Sequence, residues 1–373
     1  MMLTAYELTR TTLLRQGLLD RSPIGVPEAV RRFGPLQSQN PASPYLALWA
    51  RITDFDPDAL DAAYRSFEIV KASSLRLTLH TVGADDHASY RAAMLPNLRG
   101  AGFGDRRFTS TGMSVERAEQ LTAELASFLD EPRTRREIES ELTRLLGAKP
   151  APGLWRALRV TAPWRHQPGD HPWTFGDPAR FVAQVDEQPD PTAATVHLIR
   201  RFLEAFGPAS RRDIGQFSML RLAVVDDALD RIEDLTEHDG PDGPVLDLSG
   251  LPIAEPGTTA PRLLPMWDNT LLAYADRTRM IPDEYRPHVT RRNGDVLPVV
   301  LVDGRVAGVW RVLDDAIEIS AFRPLTDDVV EELDIEARSV RDLVSERDPN
   351  VYGRHHHWWD DLPTVTRINL AGS

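Results

Sequence analysis

The chain has 373 residues, enough for two or three domains with a core each, and no cysteine, which excludes disulfides, iron–sulfur clusters, cysteine-ligated zinc and thiol nucleophiles. Its formal net charge of −13 argues against indiscriminate attraction to nucleic acid. It leaves room for a local basic groove, because nine of the acidic residues crowd between Asp226 and Asp247.

The first hundred residues read as helices followed by strands. "YELTRTTLLRQGLL" has helical apolar spacing, "PEAVRRFG" carries proline near its start and glycine after its end, and "SPYLALWARI" is a further helix. "EIVKASSLRLTLHTVG" then reads as two strands around a Ser-Ser turn, with Arg76, Thr78 and His80 alternating on one face. This is the outline of a winged helix.

The outline returns twice. "SVERAEQLTAELASFLDEP" and "TRREIESELTRLLG" predict helices, the second capped by Thr134 with Glu137 three residues on, before a short strand pair around "PGDHPWTF". A third round runs from "TAATVHLIRRFLEAFG" through the turn "GPAS" and a short helix carrying Arg211 and Arg212, in helix-turn-helix spacing. From about Pro261 strands dominate, with Asn293-Gly294 predicting a type I′ hairpin and Asp303-Gly304 a second. The expected fold class is α+β: winged helices at residues 1–105, 106–185 and 186–258, a small antiparallel β-barrel with its closing helix at 259–345, and a tail at 346–373.

No stretch approaches the roughly 20 uncharged apolar residues of a membrane span, and the N-terminal sequence lacks a secretory apolar segment. A cytoplasmic, nucleoid-associated monomer is expected. Of the 43 basic residues only Lys71 and Lys149 are lysine; the arginine excess suits phosphate contact, and a GC-rich coding sequence gives the same bias.

Within "FGPLQSQNP", Gln37 and Gln39 stand two residues apart, the spacing that lets extended backbone present two side chains to one point. Amides accept and donate hydrogen bonds but have no useful proton affinity, so such a pair holds water without deprotonating it. Satisfying loop backbone is the plainer role for both. Asp268, beside Trp267 and Asn269, reads either as a carboxylate assisting water or as a turn former. "HHHWWDD", from His355, offers imidazoles and carboxylates, yet adjacent residues rarely converge on one ion; an aromatic anchor or exposed tail is the alternative, and no cofactor or metal is expected.

"LQSQNP", "SSLRLTLHTV", "LLPMWDNTLLAYADRTRMIPDEYRP" and "NGDVLPVVLVDGRVAGVWR", in that order, resemble the AlkZ family of bacterial winged-helix DNA glycosylases, in the branch with glutamine at both motif positions. The resemblance reaches to about residue 345, and the same motifs fit the family's self-resistance enzyme of an azinomycin producer. It implies a monofunctional glycosylase that hydrolyses the N-glycosidic bond of N7-alkylated purines in double-stranded DNA. Some members unhook interstrand crosslinks such as those of azinomycin, in base excision repair or self-resistance. Gln37 and Gln39 would then be the catalytic pair.

N7 alkylation makes the leaving base depart neutral, so charge builds on the sugar as in glycoside hydrolysis and little acid help is needed. The scarcity of lysine, with neither one near Gln37 in sequence, argues for hydrolysis without strand cleavage. Arg291, Arg292 and Asn293 in the hairpin "HVTRRNGDVLPVV", with Arg76 and His80, are the candidate DNA contacts, against a merely solvated loop tip and local packing respectively. A bulky adduct predicts limited base flipping. The competing expectation is a winged-helix regulator or drug-sequestering protein without catalysis.

Overall fold

The computed structural model describes residues 1–184 and 189–370. Its first helix, Ala5–Arg15, starts at a capping box in which Thr4 and Glu7 satisfy each other's backbone N–H groups. Val26–Phe33 has proline in its first turn and stops at Gly34, and Ser43–Trp49 and Pro57–Arg65 follow. Strands Ile69–Ser73 and Leu79–Gly83 pair antiparallel, and the two-residue strand Leu36–Gln37 adds to the outer edge with Gln37 opposite His80.

The second stretch contributes helices Val115–Glu124, Arg135–Leu146 and Pro152–Thr161, the middle one carrying the expected Thr134–Glu137 box. Its strands Trp164–His166 and Arg180–Ala183 flank the "PGDHPWTF" loop. They join the first hairpin through Ala72 opposite Arg165, so both stretches share one six-stranded sheet. Helix Ala84–Phe103 runs between them.

The third stretch places helices Pro191–Phe206, Arg211–Ser218 and Leu222–Leu229 before a separate hairpin, Leu235–Gly240 with Gly243–Leu248. The C-terminal strands form an antiparallel five-stranded sheet with Thr366–Leu370 at one edge and Arg262–Leu264 at the other. Among the described residues these edges do not pair, so the sheet is open where a closed barrel is expected. Five strands of three to nine residues stay open because helix Asp327–Arg347 and the N-terminal helices supply covering surface, and the central strands are buried at consecutive positions, on both faces. The tail is part of this layer, with Ile368 opposite Ile319.

The turns bear out one hairpin reading and correct the other. Asp303 and Gly304 both have positive φ between paired Val302 and Arg305, as a two-residue type I′ loop requires. In the other loop Gly294 has φ 91° but Asn293 does not turn left-handed; Gly294 N–H bonds Arg291 O and Arg291 N–H bonds Asp295 O, closed by Thr290 opposite Val296. That is a wider loop with glycine as its left-handed residue.

The largest apolar cluster joins Leu13, Val30, Phe33 and Trp49 to Val299, Trp310 and Ile317. The segment bearing Gln37 and Gln39 is thereby seated on the C-terminal sheet. Among the described residues no helix is long and apolar enough to cross a membrane.

Candidate active site

Gln37 is buried, at 7 % exposure, on the short strand Leu36–Gln37. Its Oε1 accepts from Arg76 Nη2 at 2.8 Å, and the same nitrogen donates to Asn269 Oδ1 at 2.7 Å. Asn269 in turn donates to Pro35 O, just ahead of the motif. Two amides and one guanidinium thus close a ring of contacts around the strand edge.

Arg76 reaches this position through its backbone. It does not share a strand face with Thr78 and His80 as the alternation predicted: Arg76 and Leu77 both turn left-handed, at φ 51° and 59°, in a tight loop between the strands. Such conformations cost a non-glycine residue on the order of 1–3 kcal/mol and persist only where surrounding contacts hold them. Here the contacts are Gln37, Asn269 and the face of Phe217, 4.9 Å from the guanidinium carbon. Burial, with Arg277 second, lowers the Arg76 pKa to about 9.

His80 faces the same side as Gln37, as cross-strand partners do, and is fully buried. Burial first, then Arg76, hold its pKa well below the ordinary value, so the ring is neutral. Its Nδ1 lies 3.2 Å from Thr78 O, which assigns the proton to Nδ1 and leaves Nε2 an acceptor. His80 Nε2, Arg76 Nη1 and Ser38 Oγ are buried without a hydrogen-bond partner among the described residues. Three such atoms beside Gln37 are costly in a purely structural site and suit one that receives polar groups.

Gln39 is exposed, and its Oε1 accepts from Leu79 N at 3.2 Å, capping the strand edge. It lines a cavity of about 850 Å³ that also contains Lys71. Lysine and motif, 32 residues or more apart in sequence, therefore line one cavity, a proximity that separation along the chain does not reveal. The register nonetheless separates Lys71 from Gln37: Lys71 pairs with Thr81 and Ala72 with His80, so the lysine emerges on the opposite face of the sheet.

Asp268 behaves as a turn former. Its carboxylate caps the short helix Asn269–Leu271 and accepts from Arg51 Nη2 at 2.8 Å in an ion pair with both side chains 1 % exposed. Asn269 went unassigned in the sequence, where a lone asparagine after aspartate carries no signal.

The hairpin residues divide. Arg292 is exposed and its guanidinium has no partner among the described residues. Arg291 is half-buried, donates from Nη2 to Trp358 O at 2.8 Å and lies over the Trp358 ring. Asn293 bonds Asp295 at the loop tip. The His/Trp segment is an anchor: His355 Nδ1 lies 3.3 Å and Trp358 Nε1 3.0 Å from Asp295 Oδ2, while Trp267 Nε1 donates to Gly294 O. Trp267 and Asn269 thus connect the hairpin to the Gln37 contacts through three consecutive residues.

A family described as DNA glycosylase AlkZ-like matches residues 30–343. An interstrand DNA cross-link repair glycosylase of Streptomyces sahachiroi is 27 % identical over 333 residues, covering 83 % of this chain and 88 % of that protein. The solved structure of Streptomyces sahachiroi DNA glycosylase AlkZ shares the fold, with a TM-score of 0.80 at 24 % identity over 92 % of this chain and 97 % of that one. With the family match spanning most of its length, the chain belongs to the AlkZ-like DNA glycosylases.

Proposed function

We propose that the protein hydrolyses the N-glycosidic bond of N7-alkylated guanine in duplex DNA, as a monomer, and that it unhooks interstrand crosslinks such as those formed by azinomycin. The observation that carries this reading is the amide of Gln37, held between Arg76 and a cluster of unpartnered buried polar atoms. The relative from Streptomyces sahachiroi is named for crosslink repair, which points to the same lesion class.

Each glutamine oxygen has two lone pairs, and in each one is occupied, by Arg76 Nη2 or Leu79 N. The second accepts from a water and orients its oxygen towards C1′. An amide polarised by a guanidinium is a poorer base still, so Gln37 positions the nucleophile and does not deprotonate it. That suffices where the base departs neutral and the sugar carries the developing charge. Water is the nucleophile in this reading: Lys71 lies on the sheet face opposite Gln37, and because it shares a cavity with Gln39 the borohydride trap decides between hydrolysis and strand cleavage. Arg292 and Asn293 contact DNA from the hairpin tip, and the lesion is reached with limited flipping.

The test is base release from duplex DNA containing N7-methylguanine by wild type and by Gln37→Ala/Gln39→Ala, with and without alkali. Release by wild type, lost in the variant and converted to strand breaks only by alkali, is expected. A trapped adduct after borohydride would replace hydrolysis by lyase chemistry. No release from this lesion or from azinomycin-treated DNA would favour a binding protein without catalysis.

A further inference from the structure

The cavity beside Gln39 contains a feature that the chemistry at Gln37 does not use. Lys71 is 4 % exposed, and its ammonium has no hydrogen bond or ion pair among the described residues, only the face of Phe175 at 4.8 Å. A buried amine without an ion-pair partner is costly. Asp177, also in the lining, attracts the ammonium from a distance but makes no ion pair with it, and Glu139 on the same wall is taken by Arg135 at 2.9 Å.

Four arginines complete the lining, Arg135, Arg136, Arg159 and Arg354. Arg136 and Arg159 are exposed residues whose guanidinium groups make no hydrogen bond or ion pair among the described residues, although burial lowers the Arg159 pKa. Helix Arg135–Leu146 begins at this wall, with Thr134, Arg135 and Arg136 facing the cavity, so the positive end of a 12-residue helix adds to the field. In a chain of net charge −13, so many cations around one buried amine mark a place for an anion.

We propose that this cavity binds a phosphodiester of the lesion-bearing strand next to the damaged nucleotide, with Lys71 and Arg136 as its contacts. Gln39 forms part of the same cavity, so a phosphate seated there fixes the strand relative to the amide that orients water. The inference rests on the glycosylase reading.

The test is the salt dependence of binding to undamaged duplex DNA for wild type, Lys71→Met and Arg136→Ala, with base release from N7-methylguanine duplex measured on the same wild-type preparation. Loss of one phosphate contact should make the slope of log K against log salt shallower by about 0.9 in each variant. Should Lys71→Met fail to fold, Arg136→Ala, at an exposed position, decides. Wild-type base release with unchanged slopes in the folded variants overturns the phosphate site and leaves the glycosylase reading standing. Shallower slopes without base release by wild type overturn the assignment to a lesion strand.

Discussion

Arg76 Nη2 donates to Gln37 Oε1 at 2.8 Å, from a left-handed loop 39 residues further along the chain. One guanidinium nitrogen holds Gln37 and Asn269 at once in a fixed plane, and the shorter, freely rotating lysine stem does not carry an ammonium to the same point. Arg76→Lys should therefore lower kcat for base release by about 10- to 100-fold with KM and the salt slope of DNA binding little changed. A reduced salt slope with unchanged kcat would make Arg76 a phosphate contact instead.

The Arg51–Asp268 pair sits in the connection between the N-terminal helices and the C-terminal sheet with both side chains 1 % exposed. Asp268→Asn leaves the Arg51 guanidinium buried and uncompensated, and should cost about 3–5 kcal/mol, read as a lowered urea midpoint at constant m-value. Arg51→Met/Asp268→Asn together should cost less than the two single changes summed, because they share one interaction.

In the hairpin the two arginines should separate. Arg292→Ala should flatten the salt dependence of DNA binding by about one phosphate equivalent without altering stability. Arg291→Ala should instead loosen the C-terminal segment, since it removes the bond to Trp358 O; faster proteolysis near Trp358 is the expected readout. Equal effects on the salt slope would return Arg291 to the DNA face.

Burial holds the Lys71 pKa at about 7, with Asp177 opposing; Arg159 shares the cavity, and the buried His166 ring beside it is kept neutral by burial, Lys71 and Arg159. Because the folded pKa lies below the unfolded one, the unfolded chain binds more protons between about pH 7 and 10.5, and stability rises with pH across that window. Lys71→Met removes this contribution. Its stability relative to wild type should be higher at pH 6 than at pH 9, measured by urea denaturation at both, and a pH-independent difference would mean the amine titrates normally when folded.

Much of the local structure was legible. The Thr134–Glu137 box, the Gly34 stop and the Asp303-Gly304 turn follow from short-range chemistry that a sequence displays, and each stands where it was expected. Arg76 departs from the strand alternation because alternation describes a continuing strand, whereas two left-handed residues fold the chain back on itself at a cost that contacts with Gln37, Asn269 and Phe217 help to offset. Strand content does not state whether edges meet, so it does not separate a barrel from the open sheet found here, which a helix and the N-terminal segment cover.

Short-range chemistry fixes the helix starts and the tight turns, and "LQSQNP" with the later motifs marks the family. Long-range packing is what lets Arg76 and Asn269 grip Gln37, puts Lys71 in a cavity with Gln39 and makes the His/Trp segment an anchor for the hairpin. The reason is range: caps and turns are settled within about four residues, whereas these contacts join groups 32 or more positions apart, and no local pattern encodes the packing that brings them together.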